Sequence, residues 1–181
     1  MSYNAEFRRS IDQRDDFWRD QAQNIDWIEP PKTIWQAKDN GHGEWFPDGV
    51  LNTSDVALDA NIRAGRGDQT ALIYDSPVTD TRQTFTYNEL RDEVASFAGA
   101  LRDRGIEKGD RVIIYMPMIP QAAIAMLACA RLGAIHSVVF GGFVAHELAV
   151  RIEDAKPKAL LTASCGIEIT KVIEYKPLVD K

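Results

Sequence analysis

Cysteine is nearly missing from this chain: its 181 residues carry two, Cys129 and Cys165. Two scattered thiols make neither a disulfide framework nor a cysteine-based zinc site, and they favour a reducing compartment, with the cytoplasm as the expected location. Cys129 lies in the apolar stretch 122–132 and reads as a small core residue. Histidine is scarce as well. His42, His136 and His146 stand apart without ligand spacing, so they read as structural and no metal centre is expected. No basic excess is present either. The 21 basic and 27 acidic residues leave a net charge of -6, which argues against nucleic acid as a partner. A local site for a phosphorylated small molecule stays open. The longest apolar segment, 113–132, is interrupted by Pro117, Pro120, Gln121 and Arg131, which speaks against a membrane span. Residues 1–10 lack the apolar core of a secretory signal, and Asp12, Asp15 and Asp16 follow Arg8 and Arg9, unlike an acid-poor transit peptide. Adjacent acids such as Glu153 and Asp154 point apart on a helix and give no glycosidase-type carboxylate dyad.

What is present divides into regions. Hydrophobic residues make up 45% of the chain, enough for a globular core. Residues 1–52 are aromatic-rich and irregular and hold all four tryptophans, Trp18, Trp27, Trp35 and Trp45. Phe7, Ile11, Phe17, Trp18, Ala22 and Ile25 predict two short amphipathic helices, and Pro30-Pro31 and residues 40–43 read as loop. So many large apolar side chains with so little periodicity predict an arm that wraps the main domain, 53–181, with the tryptophans as anchors. Stacking platforms for a ligand are the alternative.

From Asn52 the pattern becomes regular. A helix capped by Asn52, Thr53 or Ser54 is expected to run through Gly65 with Val56, Ala57, Leu58 and Ile62 inside. Residues 71–74 and 83–86 read as strands joined by a polar loop. Thr86-Tyr87-Asn88-Glu89 is a capping-box sequence, opening a helix with Leu90, Val94, Phe97, Ala98 and Leu101 at helical spacing and Gly105 as its end. Strand 112–116, helix 120–132, strand 135–140, helix 145–154 and strand 159–162 follow. That alternation predicts an α/β fold with βαβ units and a parallel sheet, and the near-continuous apolar runs predict strands covered on both faces. Residues 167–181 read as the start of a helix with Ile169, Val172, Ile173 and Leu178 inside, and one sheet edge is left uncovered. Strand 135–140 ends at Phe140, Gly141 and Gly142. A glycine pair there is either a tight strand-to-helix turn or a place where a ligand approaches the carboxyl end of the sheet.

Residues 115–143, YMPMIPQAAIAMLACARLGAIHSVVFGGF, resemble the core of the short-chain acyl-CoA synthetases, the acetyl- and propionyl-CoA synthetases of the adenylate-forming superfamily. GEWFPDGVLNTSDVALD, 43–59, resembles the start of their main domain, and FTYNELRDEVASFAGALRDRGIEKGDRV, 85–112, its next helix and strand. FRRSIDQRDDFWRDQAQNIDW, 7–27, is similar to their N-terminal arm. RIEDAKPKALLTASCGIE, 151–168, is closer to the propionyl branch.

The resemblance implies a βαβ subdomain of an enzyme that activates a carboxylate with ATP and Mg²⁺ as an acyl-adenylate and then passes the acyl group to coenzyme A. The family's Ser/Thr/Gly-rich phosphate loop ending in Lys-Gly, its ribose-holding acidic motif, its acyl pocket and its C-terminal catalytic lysine have no counterpart here. No catalytic residue is therefore carried over. The chain is expected to be an N-terminal fragment, inactive alone, with the remainder of its own chain as partner. Part of the coenzyme A site does map onto it: the loop Phe140, Gly141 and Gly142, and the segment Glu168, Ile169, Thr170 and Lys171. Acetyl-CoA synthetases commonly carry an arginine at each end of that segment, whereas this chain has Glu168 and Lys171, which removes one cation and adds an anion. Lys171 either binds a phosphate as a point charge or belongs to a solvated face. Two other readings stay open: a nucleotide-binding module without chemistry, and a fragment that docks on a partner domain through its aromatic arm.

Overall fold

The computed structural model describes residues 2–39, 41–139, 145–168 and 170–180. The chain divides into two compact units, Met1–Asn52 and Thr53–Lys181.

The first unit opens with two helices, α1 (Tyr3–Asp12) and α2 (Arg14–Ala22). Ser2 caps α1 by accepting from the Ala5 amide, which supplies a partner for one of the free N–H groups of the first turn. A hairpin follows, β1 (Trp35–Ala37) with β2 (Gly43–Trp45), so that Gly43, expected in a loop, is a strand residue paired with Ala37. Its strands of three residues are too short to show an alternating pattern, so sequence periodicity missed them. Antiparallel register sets Trp35 opposite Trp45, with ring centroids 4.8 Å apart, and Trp18 packs on Trp45 at 5.5 Å. Trp27 meets Phe46 at 5.5 Å, and its indole N–H donates to the Ala22 carbonyl at 2.8 Å. Phe46 also lies 5.9 Å from Trp45, so all four tryptophans belong to one aromatic cluster within this unit, three in direct contact and Trp27 through Phe46. The Trp35 indole occupies the space a side chain at residue 43 would need, so only glycine fits there. Asp48 fastens the proline turn by accepting from the amides of Thr33 and Lys32, and those amides hold its carboxyl below the usual range.

The second unit begins with a helical segment whose turns are π-helical at Asp55–Asp59 and Ile62–Arg66. Wider turns change which residues face inward, and of the four expected on the inner face only Leu58 is buried. A hairpin follows, β3 (Thr70–Ser76) with β4 (Thr81–Thr86). Its strands reach further than the sequence suggested, because Asp75 pairs with Arg82 and Ser76 with Thr81 in the ladder. Helix α3 (Tyr87–Asp103) carries the complete capping box, Thr86 with Glu89. Then come β5 (Arg111–Tyr115), α4 (Pro120–Leu132), β6 (Ile135–Val139), α5 (Ala145–Ala155) and β7 (Ala159–Thr162). Proline opens α4, and Gly133 ends it in the left-handed conformation at φ 72°.

The three strands form a parallel sheet in the order β6-β5-β7. Alternation along β5 sends Val112 into one core with Leu90, Val94, Leu101, Ile124 and Cys129. Ile113 and Tyr115 enter a second core on the opposite face, with Val139, Leu148 and Tyr175. The central strand is covered on both faces, as its apolar run predicts. Strand β6 is not: Ile135 is 55% and Val138 50% exposed. Among the described residues it is an edge strand, paired with β5 alone.

The end of the chain corrects another expectation. In place of a helix from Ile167, the chain forms a hairpin, β8 (Cys165–Glu168) with β9 (Lys171–Glu174), and then a short helix, α6 (Tyr175–Val179). Ile167, Thr170, Val172 and Ile173 are β-branched and suit a pleated strand, and the helical spacing of Ile169, Val172 and Ile173 was coincidental.

Candidate functional site

The carboxyl ends of β5, β6 and β7 lie side by side, because Tyr115 is in register with Val139 on one side and with Thr162 on the other. In an open parallel sheet this is the edge at which ligands collect. Phe140, Gly141 and Gly142 follow β6 in sequence and lie outside the described residues, as does Ile169. Val139, the last described residue of β6, is buried in the second core.

The second candidate segment forms the end of the β8–β9 hairpin. Glu168 and Lys171 face each other across the ladder, as the last pair before the turn. They are cross-strand partners rather than residues one helical turn apart. Thr170 and Lys171 are both exposed. Other cations of the second unit are engaged: Lys176 with Asp180, Arg151 with Glu147, and Lys158 with Asp110 at 2.8 Å. Among the described residues no ion pair engages Lys171. An exposed ammonium with a hydroxyl beside it can hold a phosphate group as a point charge with one further donor. It provides no nucleophile or general base.

The hairpin stands outside the parallel sheet, since β8 and β9 pair with each other only. Its base is closed by the Tyr175 amide, which donates to the Ser164 carbonyl at 3.0 Å. The Tyr175 ring lies 4.9 Å from that of Tyr115, centroid to centroid. Burial pushes the Tyr115 hydroxyl above its ordinary pKa. A half-open cleft of about 580 Å³ flanks the end of β7, lined by Phe97, Met116, Gln121, Ile124, Leu161 and Thr162 among others. Sequence reasoning missed it, because its walls come from α3, α4 and β7, each of which reads only as core. Among the described residues no group of three or more His, Cys, Asp or Glu side chains could hold a metal ion, and no helix is long and apolar enough to cross a membrane.

Residues 59–180 match the sequence pattern of the AMP-binding enzymes. The chain belongs to the AMP-binding enzyme family. Residues 3–57 match a second pattern, the acetyl-coenzyme A synthetase N-terminus. The family match thus begins next to the boundary between the two compact units. An uncharacterized protein of Pseudomonas aeruginosa is 61% identical over the whole chain, which spans 29% of that protein. The human mitochondrial acyl-CoA synthetase short-chain family member 3 is 49% identical across 99% of the chain, corresponding to 26% of its own length. Acetyl-coenzyme A synthetase 1 of Pseudomonas aeruginosa is 46% identical over 99% of the chain and 28% of its length. Among solved structures, acetoacetyl-CoA synthetase from Streptomyces lividans superposes with a TM-score of 0.88 at 31% identity, over 99% of this chain and 28% of that one. The chain therefore spans less than a third of the length of these relatives and corresponds to the N-terminal region of short-chain acyl-CoA synthetases.

Proposed function

We propose that this chain supplies the first part of an AMP-forming short-chain acyl-CoA synthetase, acting on propionate or acetate, and that Lys171 contacts the phosphates of coenzyme A. The observation that carries the reading is the succession of two matches along one chain, an acetyl-coenzyme A synthetase N-terminus over 3–57 and an AMP-binding region over 59–180. Propionate is favoured by the resemblance of residues 151–168 to the propionyl branch.

In the proposed reaction a carboxylate oxygen attacks the α-phosphorus of ATP, the α–β bond breaks and pyrophosphate leaves. The thiolate of coenzyme A then attacks the acyl carbon, and AMP departs with the electrons of the broken C–O bond. Adenylation is required because a free carboxylate is a poor electrophile. The described residues supply no cluster for Mg²⁺, so no step here is assigned to a metal bound by this segment. The part assigned to this chain is recognition: the ammonium of Lys171, at the end of a hairpin beside the carboxyl edge of the sheet, holds a phosphate of coenzyme A.

The test uses the natural protein that carries these residues. Carboxylate-dependent ATP–pyrophosphate exchange, followed by coenzyme A-dependent release of AMP, is expected with propionate and acetate. Lys171→Glu should raise the KM for coenzyme A roughly tenfold, equivalent to about 1.4 kcal/mol, and leave the exchange rate nearly unchanged, since that half-reaction uses no coenzyme A. The 181-residue chain alone is expected to give no exchange. Absence of exchange in the natural protein refutes the ligase reading, and an unaltered coenzyme A KM returns Lys171 to a solvated face.

A further inference from the structure

We propose that Tyr175 and Gly166 form a positioning pair that fixes the β8–β9 hairpin, and hence Lys171, against the end of the central strand; this rests on the coenzyme A reading above. The hairpin has no ladder bonds to β5, β6 or β7, so backbone pairing does not set where it stands. Ile167 and Val172, the apolar pair in mid-ladder, are both exposed, whereas Ile173, opposite Gly166 near the base, packs against the second core. What remains is its base. There Tyr175, 4% exposed, packs its ring at a tilt of 59° against the fully buried Tyr115 of β5 while its amide donates to the Ser164 carbonyl. The ring also lies over Gly166. A Cβ at that position would sit 2.8 Å from the Tyr175 hydroxyl oxygen and 3.1 and 3.2 Å from two ring carbons. Gly166 is not among the glycines with positive φ, so its lack of a side chain serves the close approach of the ring rather than the backbone conformation.

The geometry gives the base of the hairpin leverage over its tip. Gly166 and Glu168 are two residues apart on β8, and Glu168 is in register with Lys171. Two strand steps span about 6.6 Å, so a tilt of about 10° at the base moves the end of the strand by about 1 Å. A phosphate held by one point charge is sensitive to such a shift. Tyr175 is therefore a positioning residue that acts through the hairpin rather than by touching a ligand.

The experiment compares Gly166→Ala, Tyr175→Leu, and Gly166→Ala combined with Tyr175→Phe in the natural protein, with Lys171→Glu as the reference. Gly166→Ala and Tyr175→Leu should each raise the coenzyme A KM about fivefold and leave pyrophosphate exchange within about twofold of wild type. Removing the hydroxyl that meets the added methyl should reverse most of the Gly166→Ala effect in the combined variant, since only the two longer contacts remain. Exchange also reports on folding, and Tyr175→Leu empties the seat without touching the hairpin backbone. If Lys171→Glu raises the coenzyme A KM while Gly166→Ala and Tyr175→Leu do not, the positioning role is overturned and the coenzyme A reading stands. If none of the variants alters it, both are overturned. A parallel loss of exchange and coenzyme A use, or no recovery in the combined variant, marks the pair as structural only and also overturns the proposal.

Discussion

Arg131 and Asp59 provide the most direct test of how the second unit is held together. Arg131, in the last turn of α4, donates to both oxygens of Asp59 at 2.7 and 3.1 Å, across 72 residues of sequence. The pair ties the π-helical turn Asp55–Asp59 to the helix that backs the sheet. Side-chain exposure is 30% for Arg131 and 20% for Asp59, so neither limiting case applies. Fully exposed pairs are worth about 0.2–1 kcal/mol, and breaking a buried pair costs about 3–5 kcal/mol. Two charge-assisted bonds at roughly 1 kcal/mol net each, reduced for the remaining solvent screening, give a coupling of about 1.5 kcal/mol. Asp55 is held by a two-bond contact with Arg63 at 2.9 and 2.8 Å but also feels the charge of Arg131, so the cycle rather than Arg131→Ala alone isolates the Asp59 pair. The assay is a double-mutant cycle of Asp59→Ala and Arg131→Ala, read by urea unfolding at neutral pH. Midpoints should fall with little change in slope, and the two losses should be far from additive. A coupling energy below about 0.3 kcal/mol, the usual scatter for independent sites, would refute the assignment.

Two further outcomes follow from single contacts. The Thr86 amide and hydroxyl donate to the Glu89 carboxylate at 2.8 and 2.9 Å and hold its pKa below the usual glutamate range. That stabilisation is present above the unfolded glutamate pKa and is lost as pH falls through the depressed folded value, so Glu89→Gln should flatten the acid limb of a stability–pH profile. Parallel acid limbs in the two proteins would contradict it. Cys129 is fully buried and its thiol is pushed up to about 11 by burial, whereas Cys165 is exposed. A thiol-reactive disulfide reagent at pH 8 should therefore modify one cysteine quickly in the folded chain and the second only after unfolding; two fast thiols would contradict the packing of α4.

Much of the second unit was legible from neighbouring residues alone. Helix α4 runs over the predicted residues because Pro120 and Gly133 punctuate it, and β7 because Ala159–Thr162 is a short apolar run between turn signals. The capping box marked the start of α3 for the same reason, since its donors and acceptors lie three residues apart. The candidate site was less legible. Lys171 was singled out by the family resemblance, but its setting on a hairpin was missed, because Ile169, Val172 and Ile173 fall at a helical spacing. Nothing in the spacing of Tyr115, Gly166 and Tyr175 suggests that they meet.

The sequence by itself determined the helices and strands between residues 70 and 162, their alternation, and with it the parallel sheet. Each of these depends on side chains a few residues apart, whose apolar period or capping chemistry can be read along the chain. Only the tertiary structure decided that Trp18, Trp35 and Trp45 share one cluster, that β6 is an exposed edge while β5 is covered on both faces, and that Tyr175 rests over Gly166. Such contacts join residues distant along the chain. Their energy comes from the fit of two surfaces, and no local period records that fit.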